Sequence, residues 1–191
     1  MIENWWPVQI GYYDNPDHNN IEKNLVNYCL KLKKKYNKGG NFWVSTDTYN
    51  TSDNVYDLTK DEKFEKLNNF VNSCIEKFIN ESGIIFKVSN SDGWFNVYEK
   101  GDYQEYHDHN GYVISAVYFL KSEKNGSKLF FSAPFKDQYN INHKHLGFNI
   151  NAPLFYESIP GRLVIFRSYL SHCVEKHKLK NKRITLAYNF K

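Results

Sequence analysis

Cysteine pairs, proline-rich linkers and long apolar runs are all missing from this sequence, and each absence excludes something. The three cysteines, Cys29, Cys74 and Cys173, are odd in number and widely spaced. That argues against a disulfide framework and for a reducing compartment. No apolar run approaches the ~20 residues of a membrane span. The first residues, Met1 to Pro7, lack the basic start and apolar stretch of a signal peptide. A soluble, cytoplasmic protein is therefore expected, with no membrane partner. No internal repeat, coiled coil or phosphate-binding glycine loop is visible. Charge is mildly basic, 25 Lys+Arg against 21 Asp+Glu. The one dense basic run, Lys31 to Lys35, falls on a helical pattern with an opposite apolar face and reads as solvated surface. Nucleic acid is not an expected partner, because a phosphate footprint needs a broader basic stripe.

With 191 residues the chain is long enough for one well-filled core, and a single domain over 1–191 is expected. Its first part, 1–83, reads as mainly helical. Apolar residues recur with a 3.6-residue period from Ile21 to Tyr36 and from Asp61 to Asn80. Asn19 and the run Thr59–Glu62 look like helix starts, and Gly39-Gly40 and Gly83 look like stops. Cys29 and Cys74 sit on the apolar faces. From residue 84 onward, short runs rich in Ile, Val, Phe and Tyr alternate with Gly, Asn, Ser and Pro: 84–88, 94–98, 112–120, 128–132, 163–166 and 183–190. These read as antiparallel strands in two facing sheets. The expected class is α+β, a double-stranded β-helix (jelly-roll or cupin-like) with N-terminal helices buttressing one sheet. Residues 134–155, with His143 and His145, read as a long connection and a possible lid.

The candidate chemistry lies in His107-Asp108-His109. In an extended segment His107 and His109 point one way and Asp108 the other, so the natural chelating pair is His-x-His. A third histidine, His172, closes the run PGRLVIFRSYLSH, and Arg183 follows eleven residues later. Two close ligands and one distant histidine suit a facial metal site on a double-sheet barrel. Arg183 would then lie deeper in the same cavity as a bidentate partner for a carboxylate.

These motifs together resemble the 2-oxoglutarate- and Fe(II)-dependent oxygenases, in the group related to prolyl hydroxylases. Tyr98-Glu-Lys-Gly-Asp-Tyr103 ahead of the His-x-His is similar to the Y-x-x-G-x-Y of prolyl-hydroxylase-like sequences. Trp94-Phe-Asn96, Ser115 to Leu120, the Pro160–His172 run and Arg183-Ile-Thr185 match further motifs in the right order. The resemblance implies Fe(II) ligands at His107, His109 and His172, with Asp108 as the alternative to His109 if the strand bulges. It implies that Arg183, with Thr185, binds the distal carboxylate of 2-oxoglutarate, and that Tyr98 reaches the cosubstrate. It also implies coupling of 2-oxoglutarate decarboxylation to oxidation, usually hydroxylation, of a small-molecule or peptide substrate by O2. His109 departs from the wider superfamily, which has an acid there, and leaves the site one negative charge poorer.

Two other readings compete. A three-histidine iron dioxygenase that needs no cosubstrate suits the His-x-His but not Arg183-x-Thr185. A jelly-roll binding module with incidental histidines or structural zinc is the non-enzymatic alternative. The remaining histidines invite blander readings: His18 adjoins a helix start, His177 sits in a charged hairpin end that reads as solvated, and the His143/His145 pair falls in a polar loop. Trp5, Trp6, Trp43 and Trp94 read mostly as packing aromatics.

Overall fold

The computed structural model describes residues 8–40, 43–85, 87–88, 91–123, 126–132 and 154–191. The Trp5-Trp6 pair, the His143/His145 pair and nearly all of the expected lid lie outside them.

Both helical periodicities become helices, α1 (His18–Lys35) and α2 (Glu65–Ser82). Their apolar stripes are buried, Leu25, Val26, Cys29 and Leu32 on α1 and Leu67, Val71, Cys74, Ile75 and Phe78 on α2. The starts differ from expectation. The carboxylates of Asp57 and Asp61, rather than Thr59, accept from the backbone N–H groups of Thr59 and Lys63, each capping a short 3-10 turn that leads into α2. Gly83 ends α2 as expected, in the left-handed conformation at φ 65° that glycine adopts without steric penalty.

Among the described residues, ten strands, numbered in chain order, form two sheets in which every pairing is antiparallel. The larger sheet runs β1 (Ile10–Asp14), β8 (Arg162–Arg167), β5 (Ile114–Lys121), β10 (Arg183–Phe190), β3 (Ser91–Tyr98) and β2 (Tyr49–Asn50). The smaller runs β4 (Gln104–His107), β9 (His172–Val174), β6 (Leu129–Phe131) and β7 (Leu154–Tyr156). β1 and β2 are strands that sequence patterning missed. The apolar run at 84–88 is not a strand over its described residues 84, 85, 87 and 88, and Ile85 is fully exposed. It is a connection that follows the Gly83 stop.

Period-two alternation along the central strands sorts side chains between two cores. Ile184, Leu186, Tyr188 and Phe190 of β10 join Phe95 and Val97 of β3 and the helix stripes in one buried cluster. A second cluster, with Phe119, Val164 and Phe166 from the larger sheet and Leu129, Phe131 and Val174 from the smaller, fills the space between the sheets. The other faces of β3 and β10 carry Asn96, Tyr98, Arg183, Thr185 and Asn189, and these polar residues are buried too. A polar inner face on strands that are otherwise core points to a site.

Candidate metal centre and anion pocket

Cross-strand pairing brings the first two histidines together. His107 ends β4 and His172 begins β9, and the two are direct partners in the antiparallel register. Directly opposed residues project to the same face, and the ring centroids lie 4.2 Å apart. The β8–β9 turn that delivers His172 also holds the third, because the backbone N–H of His109 donates to the Ser168 carbonyl at 3.0 Å. The His109 ring centroid lies 5.2 Å from that of His107 and 5.1 Å from that of His172. One nitrogen from each imidazole falls within 4.8 Å of the other two, and Asp108 is not part of this group. The register irregularity of β4 lies between Gln104 and His107, ahead of the histidines, so it does not exchange Asp108 for His109.

Two of the rings are oriented by the backbone. Nδ1–H of His107 donates to the Glu105 carbonyl at 2.7 Å, and Nδ1–H of His172 to the Leu170 carbonyl at 2.8 Å. A neutral ring protonated at Nδ1 keeps its lone pair on Nε2, the arrangement that metal-ligating histidines use. Burial lowers the pKa of all three. For His107 burial outweighs the opposing Glu105 carbonyl; His109 is pushed down to about 3, mainly by burial and then by His107; and His172 falls well below the usual range by burial and by its two neighbours. Three neutral imidazoles facing one point offer lone pairs and no protons. That donor set fits a borderline transition metal such as Fe(II). Trp43 and Trp94, read from sequence as packing aromatics, pack against His107 at 4.8 Å and His109 at 5.7 Å between centroids.

The histidines line a cavity of about 550 Å³. Its lining includes Tyr98, Val117, Leu129, Val174 and Thr185, and also Asp53, Asn54, Asp57, Lys60, Asp92 and Tyr112. Arg183, expected deeper in the same cavity, is not part of this lining and packs behind Tyr98, which is. Its guanidinium carbon sits 4.4 Å from the centroid of the Tyr98 ring and 5.6 Å from that of Phe119. Its Nε donates to Ser158 Oγ at 3.2 Å, whereas Nη1 and Nη2 have no partner among the described residues. Arg183 is 0% and Thr185 1% exposed. Burial lowers the pKa of Arg183, and Tyr98 opposes that shift. A buried guanidinium with so few polar partners is costly, and the planar fork of an arginine matches the geometry of a carboxylate. Sequence reasoning gave no role to Asn96, Gln104, Ser158 or Asn189. Strand alternation from Arg183 and Tyr98 was the available signal for Asn189 and Asn96; Gln104 and Ser158 carried none.

Two facing antiparallel sheets with a polar, imidazole-lined interior place the chain among metal-dependent double-sheet barrels. The family model described as "Putative 2OG-Fe(II) oxygenase" matches residues 92–189, more than half of the sequence, and the chain belongs to that family. This is an oxidoreductase family of dioxygenases that use Fe(II) and 2-oxoglutarate. Among solved structures, the chain is similar to a prolyl-4-hydroxylase from Pseudomonas putida, with a TM-score of 0.67 at 15% identity over 96% of this chain and 92% of that one. It is also similar to a Trichoplax adhaerens prolyl hydroxylase in complex with a peptide fragment of the hypoxia inducible factor oxygen degradation domain. There the TM-score is 0.65 at 13% identity, over 95% of this chain and 82% of that one. A viral collagen prolyl hydroxylase from Paramecium Bursaria Chlorella virus-1, solved with 2OG, gives 0.58 at 15% identity over 95% and 94%. At such identities the likeness concerns the fold. A search of curated proteins finds no match.

Proposed function

We propose that the whole chain acts as one catalytic domain, an oxygenase that couples 2-oxoglutarate decarboxylation to hydroxylation of a small molecule or an exposed peptide side chain. In this reading His107, His109 and His172 hold Fe(II), and Arg183 grips the distal carboxylate of 2-oxoglutarate. Thr185 and Tyr98 donate to the same carboxylate. The observation that carries the reading is the buried guanidinium of Arg183, whose Nη1 and Nη2 lack partners among the described residues, a device that neither structural zinc nor a cosubstrate-free dioxygenase requires.

Bound iron and 2-oxoglutarate would supply the oxidising chemistry when O2 enters. The protein's residues do the rest. The Glu105 and Leu170 carbonyls fix the tautomers of two imidazoles. Burial keeps all three rings neutral, so no proton has to leave before a metal binds. Phe131 and Phe166 shield His172 from water at 5.8 and 4.7 Å between centroids. The part of the cavity lined by Asp53, Asn54 and Asp57 is left for substrate.

Anaerobic titration tests this directly. A visible charge-transfer band should appear only when Fe(II) and 2-oxoglutarate are both present. Arg183→Ala should abolish the band while leaving Fe(II) affinity nearly unchanged. A variant that binds 2-oxoglutarate like the wild type would remove Arg183 from the site.

A further inference from the structure

Three neutral, buried side chains on three strands form a hydrogen-bonded chain across the gap between the sheets. Gln104 Nε2, at the start of β4, donates to Asn96 Oδ1 on β3 at 3.2 Å. Asn96 Nδ2 donates to Thr185 Oγ1 on β10, also at 3.2 Å. Asn96 and Thr185 are direct register partners, whereas Gln104 belongs to the opposite sheet. All three line the cavity, and their exposures are 8% for Gln104, 2% for Asn96 and 1% for Thr185. The surrounding wall is apolar or aromatic: Val117, Leu129, Val174 and Tyr98. Buried amides in such a wall are expensive unless paired, and here each is paired in one direction. The direction matters. A hydroxyl that accepts from an amide keeps its own proton for a different acceptor, which in the ligand-free protein is the Tyr98 side chain. Thr185 is also two residues from Arg183 on the same strand face, with a register irregularity between Ile184 and Thr185 marking the spot.

We infer that Gln104 and Asn96 are positioning residues that aim the Thr185 hydroxyl proton at the carboxylate gripped by Arg183. The relay rests on the cosubstrate reading above and adds residues that contact no ligand atom by necessity. Its specificity consequence is discrimination between keto acids. A dicarboxylate such as 2-oxoglutarate gains the directed hydrogen bond, and a monocarboxylate such as 2-oxobutanoate, which lacks the distal group, does not.

The test uses the full chain loaded anaerobically with Fe(II), with affinities for both keto acids measured by calorimetry. Asn96→Leu is neutral and removes the donor to Thr185. It should weaken 2-oxoglutarate binding about tenfold, the usual loss for one hydrogen bond to a charged group. Binding of 2-oxobutanoate should be unchanged. Thr185→Val should lose at least as much and Thr185→Ser almost nothing. In the Thr185→Val background Asn96→Leu should have no further effect, because there is no hydroxyl left to aim. Equal loss for both keto acids, or a full additional loss in that background, overturns the relay. Should Asn96→Leu fail to fold, Gln104→Met cuts the chain at its outer end and should reduce 2-oxoglutarate affinity selectively; no selective loss also overturns it. A wild-type protein that does not prefer 2-oxoglutarate over 2-oxobutanoate overturns the cosubstrate reading itself, and the relay with it.

Discussion

Arg183 carries a stability cost that the proposed cosubstrate would offset. It is fully buried, its Nη1 and Nη2 lack partners among the described residues, and it is packed against two aromatic rings. Replacing a buried, imperfectly compensated charge by an apolar residue of similar volume often stabilises a fold by about 1–4 kcal/mol. Arg183→Met should therefore raise the unfolding midpoint of the ligand-free protein by several degrees while eliminating 2-oxoglutarate binding; thermal melts with and without cosubstrate read both effects. Gly161 is a residue under the opposite constraint. Its φ is 85°, and an added Cβ would lie 2.8 Å from Cγ of buried His18. His18 in turn holds the Tyr118 hydroxyl at 2.8 Å through Nδ1. Gly161→Ala should cost about 1–3 kcal/mol, measured by denaturant unfolding. His177 is a correction at this scale. Expected on a solvated hairpin end, it is 2% exposed, with Nε2 bonded to the Asn181 carbonyl and Nδ1 to Ser127 Oγ. Its charged sequence neighbours gave no hint of these partners.

Elements are joined by local polar clasps as well as by the shared core. Asp61 is one of them. Its carboxylate caps the 3-10 turn ahead of α2 and accepts from Tyr28 of α1 at 2.7 Å and from Tyr56. Burial works against its charge, yet the hydrogen bonds from Tyr56, the Lys63 N–H and Tyr28 together hold its pKa below the usual value. A carboxyl whose folded pKa is depressed contributes stability above its unfolded value, near ~3.9, and loses it as pH falls through the folded value. Asp61→Asn should cost about 1–2 kcal/mol at neutral pH. Because the variant has no such carboxyl, it should lose less stability than the wild type as pH is lowered from 5 toward 3, and the two unfolding curves should converge. Constant separation across that range would rule out the clasp as the source.

At the scale of the molecule, two sheets meet at one cavity and two kinds of ligand are needed to complete its charge. Three neutral imidazoles provide no counter-charge for a divalent ion, and one guanidinium awaits an anion. A divalent metal beside Arg183 leaves the interior strongly positive, and a dicarboxylate offsets most of that charge, so each ligand should favour the other. Each should raise the unfolding midpoint according to its occupancy, about 2.7 kcal/mol at a hundredfold excess over Kd, or roughly 5–10 °C for a chain of this size. The shift with both should exceed either alone, and a metal chelator should reverse most of it. No described helix is long and apolar enough to cross a membrane.

Local chemistry written along the chain determined a good part of this protein. The two helix periods, the stop at Gly83 and most of the longer strands depend on neighbours a few residues away, so a linear reading reaches them. The resemblance of the ordered motifs supplied the rest of the expected site. Edge strands β1 and β2 escaped because each exists only through pairing with a distant strand, β8 and β3. The carboxylate caps, the aromatic cover over Arg183 and the Gln104–Asn96–Thr185 chain escaped for a related reason. Tertiary structure alone decided which buried polar groups find partners and which are left waiting for a ligand, because that depends on where two sheets close on one another.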